Sequence, residues 1–183
     1  VYAFFGVSDE EKELQFAQNL TQHGGYFLYC QNHLDFAEDF LKLCENKKWQ
    51  QFLCTDKSLQ NVLNQVAFKH DVNLSNNIEV YFTNAECATA RTASLIFSNK
   101  QANMRAIAQA KALVVIIDIA QVVNDLKDAI QNIRLKYNNQ YPAEVHALSG
   151  PFKCETQPDL MQEVYVFLIE DNFVQNLSTD NLL

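Results

Sequence analysis

Two short segments carry the residue types that could do chemistry in this chain. They are Ala90-Arg91-Thr92-Ala93-Ser94 and Ser149-Gly150-Pro151-Phe152-Lys153-Cys154. Both fall at the ends of stretches that read as strands, where α/β folds usually place ligands. If the two loops converge, Arg91 and Lys153 border one cleft. A guanidinium and an ammonium at strand ends suit a carboxylate or a phosphate. The Thr92 and Ser94 hydroxyls and the backbone around Gly150 would complete such a site. On the competing reading both cations are solvated surface charges, as most charged side chains are, and Glu155 neutralises Lys153. No catalytic residue can be assigned.

Other chemistries find little support. The histidines, at 23, 33, 70 and 146, share no ligand spacing, whereas metal sites show clustered ligands. No metal is expected, and no cofactor. Neither a Gly-x-Gly-x-x-Gly nor a Walker loop occurs, and no Ser-centred nucleophile elbow. Cys30, Cys44, Cys54, Cys87 and Cys154 include no Cys-x-x-Cys pair. An odd count without metal spacing fits reduced, buried thiols rather than disulfides or an iron–sulfur cluster. Cys154 is the exception, because it sits in a candidate site loop.

The balance of charge narrows the partners. A formal net charge of −8 disfavours nonspecific binding to nucleic acid or to an anionic membrane. No apolar run reaches the roughly 18 residues a membrane-spanning helix needs. The opening Val1-Tyr2-Ala3-Phe4-Phe5 lacks the basic region of a signal peptide. Cytoplasm is the expected compartment, without membrane insertion.

The elements that must position the two loops follow from the periodicity. Ser8-Asp9-Glu10-Glu11 has the form of a capping box, and Leu14, Phe16, Ala17 and Leu20 then recur at helical spacing until His23-Gly24-Gly25. Tyr26 to Cys30 reads as a buried strand and His33 to Asn46 as a helix. Trp49 to Cys54 is a short strand. Thr55 or Asp56 caps a third helix with Leu59, Val62, Leu63 and Val66 on one face. Asp71 to Asn77 is a polar loop. Such alternation predicts a parallel sheet with helices on its faces. Further on, Glu79 to Thr83 is extended. Ala85 to Ala90 and Ala93 to Ser98 are two short strands or one bent strand, and Gln101 to Ala110 holds one or two helical turns. Ala112 to Ile117 is apolar on both faces and belongs at the sheet centre. A long helix is expected over Ile119 to Tyr137, with Val122, Val123, Leu126, Ala129, Ile130 and Ile133 inward. Glu144 to Leu148 and Val164 to Ile169 are further strands, and 172–183 is a polar tail. At 48% hydrophobic residues over 183 positions, one α/β domain with an open, mostly parallel sheet is the expectation.

The order of these segments resembles a known family. Thr83-Asn84-Ala85-Glu86-Cys87-Ala88-Thr89-Ala90-Arg91-Thr92-Ala93-Ser94-Leu95-Ile96-Phe97 resembles a segment in which Ala-Glu-Thr-Gly-Thr precedes an apolar strand. Ala112 to Ile117 with Ile119, Val122, Asp125 and Leu126 is similar to its central strand and the Ile-Val-x-Asp-Leu that follows. Ser149-Gly150-Pro151 with Lys153 is similar to its Gly-Pro-Ser-Arg/Lys-Thr-Ala-Asp loop. Val164 to Asp171 resembles its closing strand, and Gly24 to Cys30 a common opening. The family is the LUD (lactate utilization) domain, more closely its lactate utilization protein C branch, over about residues 10 to 171.

The resemblance implies a fold like the sugar-isomerase, CoA-transferase and formyltetrahydrofolate cyclo-ligase group. It also implies a part in oxidising L-lactate to pyruvate beside partners that carry iron–sulfur clusters. This chain departs from the pattern at the site. Arg91 stands where the family has Glu, so no base or nucleophile is available there, because a guanidinium stays protonated. Ala93 replaces Gly, which makes any positive φ costly. Phe152, Cys154, Glu155 and Thr156 replace Ser, Thr, Ala and Asp, and the Gly-Val-His-Gly-Pro segment is missing. The expected role is therefore an accessory, non-cluster component with a degenerate small-anion site at Arg91, Thr92, Ser94, Gly150 and Lys153. The alternatives are an independent enzyme or binding protein for a small phosphorylated or acyl substrate, or an interaction protein without a ligand.

Overall fold

The computed structural model describes residues 9–65, 67–74, 78–152 and 162–170. Ser8 of the expected capping box, Val66, Lys153, Cys154, Glu155 and the expected tail over 172–183 lie outside the described residues. In chain order the elements are α1 (Asp9–Gln22), β1 (Tyr26–Cys30), α2 (His33–Lys47), β2 (Phe52–Leu53), α3 (Lys57–Gln65), β3 (Val80–Asn84), β4 (Cys87–Thr89), β5 (Ser94–Ser98), α4 (Met104–Gln109), β6 (Ala112–Asp118), β7 (Val122–Val123), α5 (Leu126–Tyr137), β8 (Val145–Leu148) and β9 (Glu163–Ile169). A single 3-10 turn, Ile119–Gln121, joins β6 to β7.

Five strands form a sheet in the order β1-β9-β6-β3-β2, every neighbouring pair parallel. β6 lies at its centre and all seven of its residues are buried, as the doubly apolar pattern requires. One face, with Val80, Phe82, Val114, Ile116, Tyr165 and Phe167, packs on α2 and α3 through Phe36, Phe40, Leu59 and Leu63. Phe40 meets Phe52, Phe68, Phe82 and Phe167 edge-on or tilted, the geometry the ring quadrupole favours. The opposite face, with Tyr81, Leu113, Val115, Ile117, Val166 and Leu168, packs on Phe16 and Leu20 of α1 and on a second sheet.

The strands expected over 85–98 and over 144–148 belong to this second sheet, joined by a strand over 122–123 that was expected as helix. Its order is β7-β4-β5-β8, with β4, β5 and β8 antiparallel and β7 parallel to β4. Its outer face, Cys87, Ile96 and Val123, packs on Ala129 and Ile133 of α5. The layers therefore run helices, parallel sheet, small sheet, helix.

Several expectations change. The long helix from Ile119 does not form: Val122 and Val123 pair with Ala88 and Thr89 as β7. The helix starts only at Leu126, where the Asp125 side chain accepts from the Lys127 and Asp128 amides. Leu126 is exposed rather than inward. β2 has two residues rather than six, because the Glu79 carboxylate takes the Gln50 and Gln51 amides at 2.8 and 2.9 Å. β1 is an edge strand, half-buried along most of its length, with Tyr29 exposed. In the expected polar loop, Asp71 makes a parallel bridge to Leu53.

Cys30, Cys44, Cys54 and Cys87 are free and buried. Burial pushes the first three thiols up to about 12 and Cys87 up to about 11. Thiolate is the reactive form. These four are expected to resist a disulfide-exchange reagent at pH 8 in the native protein, and all five cysteines to react in denaturant without reductant. Fewer than five in denaturant would reveal a disulfide; rapid native reaction of the four would contradict the packing.

Candidate functional site

The turn between β4 and β5 is built tightly. Ala93, at the position where the resemblance has Gly, sits at φ 48° and is fully buried. An L-residue in the left-handed region costs roughly 1–2 kcal/mol, so the turn must be held from outside. It is: the Ala90 and Arg91 amides donate to Val123 and Asn124 carbonyls at 2.8 and 3.2 Å. The Asn19 side chain of α1 donates to the Ala90 and Arg91 carbonyls at 2.8 and 3.2 Å.

β8 brings the second loop beside this turn, since Leu148 pairs with Leu95. A chain of hydroxyls then bridges the two loops. Thr89 Oγ1 lies 2.8 Å from Thr92 Oγ1, Thr92 Oγ1 lies 2.8 Å from Ser94 Oγ, and Ser94 Oγ lies 2.6 Å from Ser149 Oγ. It runs from the fully buried Thr89 to the exposed Ser149. Gly150 closes on the end of α1, where an added Cβ would stand 2.5 Å from His23 Cβ. The Phe152 amide donates to the His23 carbonyl at 2.7 Å.

Thr92, Ser94 and Gly150 thus come together around Ser149. Arg91 lies at the surface, its side chain 68% exposed and its guanidinium 3.7 Å from the Asp125 carboxylate that caps α5. Lys153 is among the residues not described. Linked hydroxyls offer donors and acceptors to a ligand, but among the described residues no carboxylate or imidazole is bonded to these hydroxyls to act as a base.

A second constellation escaped the sequence reading. The Glu86 side chain is wholly buried just beyond β3. It accepts from Lys136 Nζ at 2.7 Å, Tyr137 OH at 2.7 Å and Ser98 Oγ at 2.5 Å. Burial works to lower the Lys136 pKa, and contact with Glu86 overcomes it, leaving the ammonium above its ordinary value. Burial and then Glu86 push Tyr137 up. The only hint in sequence was a lone Glu in a run of small residues, fifty positions from its lysine.

Glu86, Lys136 and Tyr137 border a pocket of about 550 Å³, shared with Asp56, Asn84, Lys100 and Gln101. It opens at the carboxyl edge of the parallel sheet: Asp56 follows β2, Asn84 ends β3 and Gln121 follows β6. A larger cavity, about 830 Å³, lies at the amino edge near Glu79, Lys111 and Glu163. There the fold uses the polar groups itself. Gln162 Nε2 donates to the Ile107 and Ala110 carbonyls, and Glu163 pairs with Lys47 at 2.9 Å. The carboxyl edge is the end at which open α/β sheets bind ligands, so the smaller pocket is the better candidate.

No curated protein matches the sequence. A DUF162 family protein from Deinococcus radiodurans, known from a crystal structure at 1.70 Å resolution, is similar with a TM-score of 0.68 at 13% identity. The likeness covers 90% of this chain and 99% of that one, and at such identity it speaks for the fold alone. The parallel sheet with its flanking helices is therefore shared. The family model described as LUD domain matches residues 56–165, more than half of the 183 positions, from α3 to the first residues of β9, a span that holds the hydroxyl chain and the Glu86 pocket. On that match, the chain belongs to the LUD domain family.

Proposed function

We propose that this chain is a non-cluster accessory component of a cytoplasmic system oxidising L-lactate to pyruvate, working beside iron–sulfur partner proteins. The observation that carries the reading is the LUD domain match over residues 56–165, which associates the chain with lactate utilization in general terms. Deleting its gene should abolish growth on L-lactate, and restoring the chain should restore growth. The chain should also co-purify with iron–sulfur proteins that oxidise lactate. Unchanged growth of the deletion strain on L-lactate would refute the reading.

The accessory role includes a small-anion site at the loop junction, formed by Arg91, Thr92, Ser94, Gly150 and Lys153. The hydroxyl chain from Thr89 to Ser149 supports it, because it holds both loops against each other. Arg91 is largely exposed and shares Asp125, so its contribution should be that of an exposed pair, about 1 kcal/mol or fivefold in affinity. Calorimetric titration with lactate, pyruvate and phosphate should show that weakening in Arg91→Ala. Equal affinities in the two proteins would leave Arg91 a surface charge.

The second reading is an enzyme or binding protein for a small phosphorylated or acyl substrate. One observation favours it: the pocket at the carboxyl edge gathers the buried Glu86 with Lys136 and Tyr137.

A further inference from the structure

Two acceptors in the carboxyl-edge pocket have no partner among the described residues. Asn84, the last residue of β3, is 6% exposed, and its Oδ1 accepts nothing. Gln101 Oε1 is likewise buried and unpaired. The Gln101 amide cannot simply be turned over, because its Nε2 donates to the Ala85 carbonyl at 3.2 Å. Both residues line the same pocket. Buried acceptors left unpaired are costly and uncommon. Their complement is a ligand with O–H or N–H donors.

The charges around them choose between those donors. Glu86 is spent on Lys136, Tyr137 and Ser98. Asp56 Oδ1 accepts from the Ser58 and Leu59 amides at the start of α3, where the helix dipole offsets its charge. Lys100 Nζ donates to the Gln140 carbonyl and forms no ion pair among the described residues. The Lys100 and Lys136 ammoniums each lie 5.1 Å from the Tyr137 ring centre, one aromatic platform between two cations. Lys136 shares its charge with Glu86, so Lys100 is the cation left over, and it repels a cationic ligand and attracts an anion.

We propose that this pocket binds a small hydroxylated anion: its hydroxyls donate to Asn84 Oδ1 and Gln101 Oε1, and its charged group lies beside Lys136 and Lys100. Cys87, Ile133 and the Tyr137 ring face the short carbon skeleton. A volume of about 550 Å³ suits a metabolite of this size. The shared chemistry, hydroxyl donor plus anion, is met by a 2-hydroxy acid and by a phosphorylated polyol. The site is distinct from the loop junction and does not depend on the accessory role.

The test is titration of the full chain with L-lactate, pyruvate, glycerol 3-phosphate and glycerol. At least one of L-lactate and glycerol 3-phosphate should bind at millimolar concentration or below, and which one does names the source. Its counterpart, pyruvate without the hydroxyl or glycerol without the anion, should bind at least fivefold more weakly. Gln101→Met should weaken binding about fivefold to tenfold, and Asn84→Ala similarly, with melting curves to confirm that each folds. Gln101 is half-buried, so its variant stands if Asn84→Ala does not. Absence of binding by both hydroxylated anions, equal affinity for the counterpart, or no effect of Gln101→Met would overturn the assignment. Growth on lactate tests the accessory role separately, so either idea can fall alone.

Discussion

Raising the pH from 9 to about 11 is expected to unfold the chain. Burial pushes Cys30, Cys44 and Cys54 up to about 12 and Cys87 up to about 11, from an ordinary 9.0. Asp39 and Asp35 add to the effect at Cys30. In the unfolded chain these thiols ionise near pH 9, while in the folded chain they stay protonated. Between the two values the folded state holds more protons, so stability falls as pH rises. The contribution is fully present below pH 9 and is lost towards the folded values. Each thiol gives a slope of roughly 1.4 kcal/mol per pH unit, and four give roughly 5. A domain holds about 5–15 kcal/mol in total, so about two units suffice. Tyr137, Tyr165 and Lys136 are also raised and act in the same direction at higher pH. Urea titrations at pH 7, 9, 10 and 11 measure the slope, and Cys30→Ala with Cys54→Ala should roughly halve it. A stability that stays level to pH 11 would mean that the thiols are not desolvated.

Lys136→Met is expected to cost about 3 kcal/mol at pH 7, because it leaves a wholly buried carboxylate without its cation. For a chain of this length that lowers the melting midpoint by about 9 °C. Tyr137 and Ser98 would still donate to Glu86, which holds the loss to the lower end of the range for broken buried pairs. Glu86→Gln in the same chain should recover much of the loss, since the amide oxygen still accepts from the hydroxyls. Simple additivity of the two substitutions in a double-mutant cycle would show that the pair is not coupled.

How far the sequence determined the molecule can be judged residue by residue. β6 was legible because Ala112 to Ile117 is apolar on both faces, and only a central strand between two helix-covered or sheet-covered faces needs that. The caps at Asn32 and Asp125 went unread although they are local, an Asx side chain reaching two or three residues along its own chain. The family segments were local too, and they lie within the matched span. Val122 and Val123 misled, since their spacing fits a helix face and only β4, more than thirty residues back, makes them a strand. β2 was overextended because the carboxylate that takes the Gln50 and Gln51 amides belongs to Glu79.

The site divides the same way. Thr92, Ser94 and Gly150 could be named as polar or turn residues at strand ends, but their meeting depends on Ser149 reaching Ser94 across the β5–β8 pair. That Arg91 faces solvent beside Asp125 is a matter of where α5 begins. Glu86, Lys136, Asn84 and Gln101 share no spacing, because a pocket at a sheet edge is assembled from the ends of separate elements. Hydrogen-bond reach along the chain fixed what the sequence alone determined. Burial, which requires distant elements to pack, decided which polar groups were left to meet a ligand.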